Sequence, residues 1–113
     1  MEIIKDHIAL SKLREMSKAG FGNMVKAVVD INREIMAVDA ELHADEESLL
    51  IENGSAQEYL WGINIYPDLA GDERIEFDSM INLRPAQGNP TRNVENDAIR
   101  NQITGIVNRL ISP

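Results

Sequence analysis

The chain has 113 residues, 43% of them apolar, with no cysteine and a formal net charge of −8. That length fits one domain and leaves no room for two, and the composition excludes general disorder, disulfides, thiolate metal sites and cysteine nucleophiles. An acidic chain argues against a nucleic-acid binder, which usually shows a basic face, and no stretch approaches the ~20 apolar residues of a membrane span.

The opening MEIIKDHIALSKLREM mixes acids and bases within its first residues and lacks a long apolar run. It does not read as a signal peptide, so a cytoplasmic location is expected. Residues 2–4 read as a short strand. Residues 9–18 read as a helix, with Leu10, Leu13 and Met16 at helical spacing. Gly20 is the expected left-handed cap, because it lacks the Cβ that would clash there. Residues 24–31 (MVKAVVDI) are β-branched and apolar, the composition of a strand. A turn at Asn32 and Arg33 leads into a second strand over 34–42, its hairpin partner. With a two-residue loop, Val25, Ala27, Val29 and Ile31 share an apolar face with Met36, Val38 and Ala40, and that face is expected in the core. The other face also carries Val28, Ile35 and Ala37.

Asp45 is placed to cap a short helix reaching Leu50, and Asn53-Gly54-Ser55 is a turn. Residues 59–66 (YLWGINIY) read as a strand ended by Pro67, with Tyr59, Trp61 and Ile63 on one packed face. A polar loop fills 67–74. Residues 75–83 (IEFDSMINL) give the clearest apolar–polar alternation in the chain and predict a strand, ended by Pro85. Asn96 caps a last helix whose Ile99, Ile103, Ile106, Val107 and Leu110 form one stripe. Gly105 within it predicts a close helix contact. The order is β-α-β-β-α-β-β-α. The expected fold is α+β: a mainly antiparallel sheet of four to five strands, two longer helices and one short helix, with the helices on one face and residues 1–113 forming a single domain.

Two neighbouring strands then bring polar side chains to one face. Gly62, Asn64 and Tyr66 share a side of the first, and Asp78, Asn82 and Arg84 share a side of the second. An even-sum register, such as Asn64 opposite Asp78, brings the sets together. The following loop adds Gln87, Asn89 and Arg92. Asn and Asp are depleted in strands, so each needs a partner. The plain reading is the solvated face of a half-covered sheet. The functional reading is a binding surface in which Arg84 and Arg92 fork onto an anion. One glycine with no Lys-Ser or Lys-Thr after it excludes a phosphate-binding loop.

His43-Ala44-Asp45-Glu46 sets a histidine beside two acids. A metal site needs a further ligand, such as Asp78 or Glu41, so neither a metal nor a cofactor is expected. The capping role of Asp45 and a strand-end position for His43 explain the same residues. No G-x-S-x-G surrounds any serine, and Ser79 falls on the apolar side of its strand. A Ser79-His43-Asp78 set has no support beyond chance.

At ELHADEESLL (41–50), LWGINIYP (60–67) and EFDSMINLRPAQGN (76–89), the sequence resembles a small prokaryotic family built on a domain of unknown function. The resemblance runs nearly the whole length and implies one complete domain. It supplies no activity, cofactor or site residue.

The charges are segregated. Residues 34–73 hold eleven acids and no Lys or Arg, while 84–113 hold four Arg against two acids. With two apolar faces on the first hairpin and no catalytic set, the expected function is a non-enzymatic binding or regulatory module that self-associates as a dimer, with another protein as the further partner. The competing expectation is a small enzyme, a hydrolase, or an anion-binding protein that uses Asn64, Asp78, Asn82 and Arg84 with His43.

Overall fold

The computed structural model describes residues 1–113. Strand β1 spans Glu2–Ile4 and β2 Ile8–Ala9, followed by helix α1 over Leu10–Ala19. Strands β3 (Val25–Asp30) and β4 (Ile35–Val38) form the hairpin, and α2 runs from His43–Glu52. Strand β5 covers Leu60–Ile65, β6 only Ile75–Glu76, α3 Asp97–Leu110 and β7 Ile111–Ser112. Five strands pair in the order β1-β4-β3-β5-β6, every neighbour antiparallel. β2 and β7 pair in parallel and fasten the start of α1 to the end of α3. The fold is α+β, and no helix is long and apolar enough to cross a membrane.

The hairpin register follows the apolar pattern. Val29 lies opposite Met36 and Ala27 opposite Val38, so these side chains share one face. Trp61, Ile63 and Ile65 of β5 extend that face, and α1 and α3 cover it with Leu13, Met16, Ile103, Val107 and Leu110. The Asn96 side chain accepts from the Ile99 N–H at 3.0 Å, the cap expected for α3.

Helices cover both faces, not one. Val28, Ile35, Ala37 and Leu60 point the opposite way and are buried beneath Leu50 of α2. The second apolar face, which from sequence invites a second copy of the chain, is closed within the chain itself. α2 explains this reach: it begins earlier and ends later than the short helix expected over 45–50. Leu42 precedes it with no side-chain cap, and Asp45 lies in the first turn without capping it. β4 correspondingly stops at Val38 because Asp39 takes the left-handed backbone, φ 72°. Gly20 is not left-handed (φ −112°); its N–H bonds the Met16 and Ser17 carbonyls. No atom lies within 4 Å of a Cβ built on Gly105, so α3 makes no close contact there.

The strand expected over 75–83 ends after two residues. Asn64 pairs with Glu76 rather than Asp78, and the next pair along that register would set Gly62 against Asp78. The chain instead lifts over β5. Ser79 packs on Gly62 so closely that a Cβ there would lie 2.5 Å from the Ser79 Cβ and Oγ. Residues Met80–Asn82 and Pro85–Gln87 then form single 3₁₀ turns. A methyl group at Gly62 cannot be accommodated without moving buried Ser79, and overpacking of this kind costs about 1–3 kcal/mol. Gly62→Ala is therefore expected to lower stability by about 2 kcal/mol in urea denaturation. An unchanged midpoint would contradict the packing described.

Candidate functional site

The polar residues singled out in the sequence divide between two places. The first is the interior of the 78–96 loop. The Asn82 side chain accepts from the Gly62 N–H at 2.8 Å and donates to the Gly62 carbonyl at 2.9 Å and the Arg92 carbonyl at 3.0 Å. Asn89 donates to the carbonyls of Asn82 and Asn93, each at 2.7 Å, and accepts from the Glu95 N–H at 2.9 Å. Both are buried, and a carboxamide can serve two peptide groups at once. The missing pairing of β5 at Gly62 is supplied by the Asn82 side chain, which Asn89 supports from within the loop.

Arg84 stands at the end of β5. It donates to the Ile81 carbonyl at 2.8 Å, to the Gln57 carbonyl at 3.2 Å and to the Leu60 carbonyl. Its Nη2 is 3.8 Å from Glu47 of α2, and its guanidinium lies 4.7 Å from the Trp61 ring centroid. Burial lowers its pKa and Glu47 opposes that shift, but a guanidinium keeps its charge in either case. Gln87 donates to the Glu58 carbonyl at 3.5 Å, beside the same junction. Arg84 thus ties together α2, the 57–59 turn, β5 and the 80–84 segment.

The second place is the opposite end of the same face. Asn64 donates to Glu76 at 2.8 Å, and the Tyr66 hydroxyl donates to the same carboxylate at 3.0 Å. Burial and that bond push the Tyr66 hydroxyl pKa up. Arg92 and Asp78 form a half-exposed pair at 2.7 Å. His43 is the first residue of α2, not a strand end. Its Nε2–H donates to the Ile63 carbonyl at 2.7 Å, and burial lowers its pKa, so the ring is neutral near pH 7. Ser79 over Gly62, His43 over Ile63 and Asp78 are neighbours, but Ser79 is 1% exposed and its Oγ accepts from the Ile81 N–H. No hydrogen bond joins it to His43.

Glu46 entered the sequence reading only as an acid near His43. It is fully buried one turn after His43, and its Oε2 accepts from the Ala40 N–H at 3.1 Å. Burial pushes its pKa up to about 9. Its signal was positional, since His43, Glu46 and Leu50 occupy one helical stripe. Two buried oxygens of this region, Glu46 Oε1 and Asn64 Oδ1, have no hydrogen-bond partner.

A cleft of about 800 Å³ lies elsewhere, between β6 and α3. Asp72, Glu73, Glu76 and Asp97 line it with Arg100, which stacks 4.2 Å from the Phe77 centroid. Glu76 alone links it to the polar cluster. No three His, Asp or Glu side chains converge to hold a metal ion. On the segments that Arg84 joins, by contrast, large apolar side chains reach solvent: Met80 is 61% exposed, Leu83 and Ile51 43%, and Tyr59 36%.

Residues 2–110 match the model of a family described as Protein of unknown function (DUF5674), and the chain belongs to that family. No curated protein and no solved structure matches it.

The buried carboxyl of Glu46 sets a pH dependence. It is neutral in the fold and ionises in the unfolded chain above its ordinary 4.5. Its stabilisation is complete below that pH and is lost as pH rises toward about 9. Glu46→Gln keeps an acceptor for Ala40 and cannot ionise. Thermal melts should show the variant about 5 °C or more above the parent near pH 8.5, converging near pH 4.5. Parallel pH profiles would refute the neutral carboxyl.

Proposed function

We propose that this member of the DUF5674 family is a non-catalytic binding module that presents the Arg84 end of its sheet to another protein. The observation that carries this reading is the exposure of Met80, Leu83, Ile51 and Tyr59 around a junction that is itself pinned. Leu83 precedes Arg84, Tyr59 precedes the Leu60 whose carbonyl Arg84 binds, and Ile51 lies one turn beyond Glu47. Met80 opens the turn that hands the chain to Arg84. Large apolar side chains held outward on a fixed frame are the usual anchors of a protein interface. A second copy would meet this surface with a net charge of −8 on each chain, and that repulsion favours a different protein over self-association.

A second reading keeps the His43 end as a small-ligand site, supported by the two buried oxygens without partners. Native mass spectrometry of the purified protein tests it: a ligand-sized adduct supports the site, and the bare chain mass counts against it. For the leading reading, random peptides displayed on phage can be selected against the whole chain. The selected peptides should lose binding to Met80→Ser/Leu83→Ser, a variant expected to stay folded, with a melting temperature lowered by no more than a few degrees, because Met80 is mostly exposed and Leu83 nearly half exposed. Equal binding to parent and variant would overturn the assignment of this surface.

A further inference from the structure

We infer that the partner fitting the Arg84 end is a basic amphipathic peptide segment, with its apolar side chains on Met80, Leu83, Ile51 and Tyr59 and its cations on the surrounding acids. This rests on the protein-contact reading above and gives it a chemistry. Glu52 follows Ile51 and Glu58 precedes Tyr59, and both are exposed. Glu47, one turn before Ile51, keeps 14% of its side chain exposed beside Arg84. Two cations, Arg33 and Arg84, reach this end against the three acids Glu47, Glu52 and Glu58. Arg33 donates to the Asn53 carbonyl at 3.0 Å and to Ser55 Oγ at 3.1 Å, and the Arg84 side chain is 9% exposed. From residue 34 to 73 the chain adds no Lys or Arg to offset its eleven acids.

The surface therefore has apolar anchors and an acidic rim. An acidic or neutral partner would strip water from Glu52 and Glu58 without supplying a counter-charge, whereas a basic one pairs them. A second copy meeting this end with the same end brings the same acids, and a nucleic acid brings phosphates, so both are repelled. Apolar anchors with complementary rim charges are the recognition mode of amphipathic helices docked on a groove.

The test uses the whole chain and two fluorescent peptides of about 14 residues, one of Leu and Lys and one of Leu and Glu in the same amphipathic pattern. Anisotropy should show the Lys peptide binding at low salt and weakening as salt rises. Glu52→Lys/Glu58→Lys should weaken it about tenfold or more, while Asp72→Lys/Glu73→Lys, with the same change in net charge, should leave it within about twofold. If the remote pair weakens binding as much, the peptide reads net charge and the inference fails. If the Glu peptide binds as well and both peptides are lost on Met80→Ser/Leu83→Ser, the surface stands and its preference for cations falls. If that variant leaves the Lys peptide unaffected, the contact surface itself is wrong.

Discussion

The fold depends on how the Asn82 carboxamide replaces a strand. β6 leaves β5 after Glu76, and the backbone of Gly62 would be left facing nothing. Asn82 returns one acceptor and one donor to that residue, at 2.8 and 2.9 Å, which is the pattern an antiparallel neighbour supplies. Leaving either buried group unmatched costs about 1–3 kcal/mol. The same amide nitrogen also holds the Arg92 carbonyl, and Asn89 holds the carbonyl of Asn82 itself. The loop from 78 to 96 is thus fixed to the sheet edge by Asn82 and held to itself by Asn89, and the absence of a side chain at Gly62 lets it come that close.

Because the loop turns away from the ladder, the sheet keeps a short fourth pairing and a second face that needs its own cover. α2 supplies it. Its inward stripe contains a histidine and a glutamate as well as leucine, and burial makes both neutral near pH 7. Neutral His43 meets a β5 carbonyl and neutral Glu46 meets the backbone of the 39–42 connection. Their shifts act in opposite directions: the contribution of Glu46 falls as pH rises, and that of His43 falls as pH drops below its ordinary 6.5. Asp30 plays the corresponding part at the hairpin, accepting from Asn32 and Arg33 N–H and from Ser55.

The hairpin face and the α3 stripe were legible in the sequence because each is set by a local period, two for the strand and 3.6 for the helix. The alternation over 75–83 followed the same rule and misled. Phe77 does turn to the core and Asp78 away from it, but what ends the strand is the contact between Ser79 and Gly62, seventeen positions apart and invisible to any window. The rule that a strand asparagine needs a partner pointed to Asn64, which lies on β5, and to Asn82, which lies in a 3₁₀ turn instead. It could not say that Glu76 and the Gly62 backbone would be those partners. α2 covering the second face is a tertiary fact of the same kind, since Val28, Ile35 and Ala37 look equally apolar whether a helix or a second chain covers them.

Side chains that carry the scaffold and side chains left over from it can be separated on this basis. Asn82, Asn89 and Arg84 are engaged with the backbone of their own chain, and their loss would be felt as stability. Met80, Leu83, Ile51 and Tyr59 are not needed for that purpose: neighbouring Ile81 already packs into the cluster beneath α2, and Leu60 is buried within it. Exposed apolar groups cost solubility and gain nothing from water. These side chains sit on segments that Arg84 bonds together, which holds their backbone in a fixed geometry, and a contact surface requires that where an incidental patch does not.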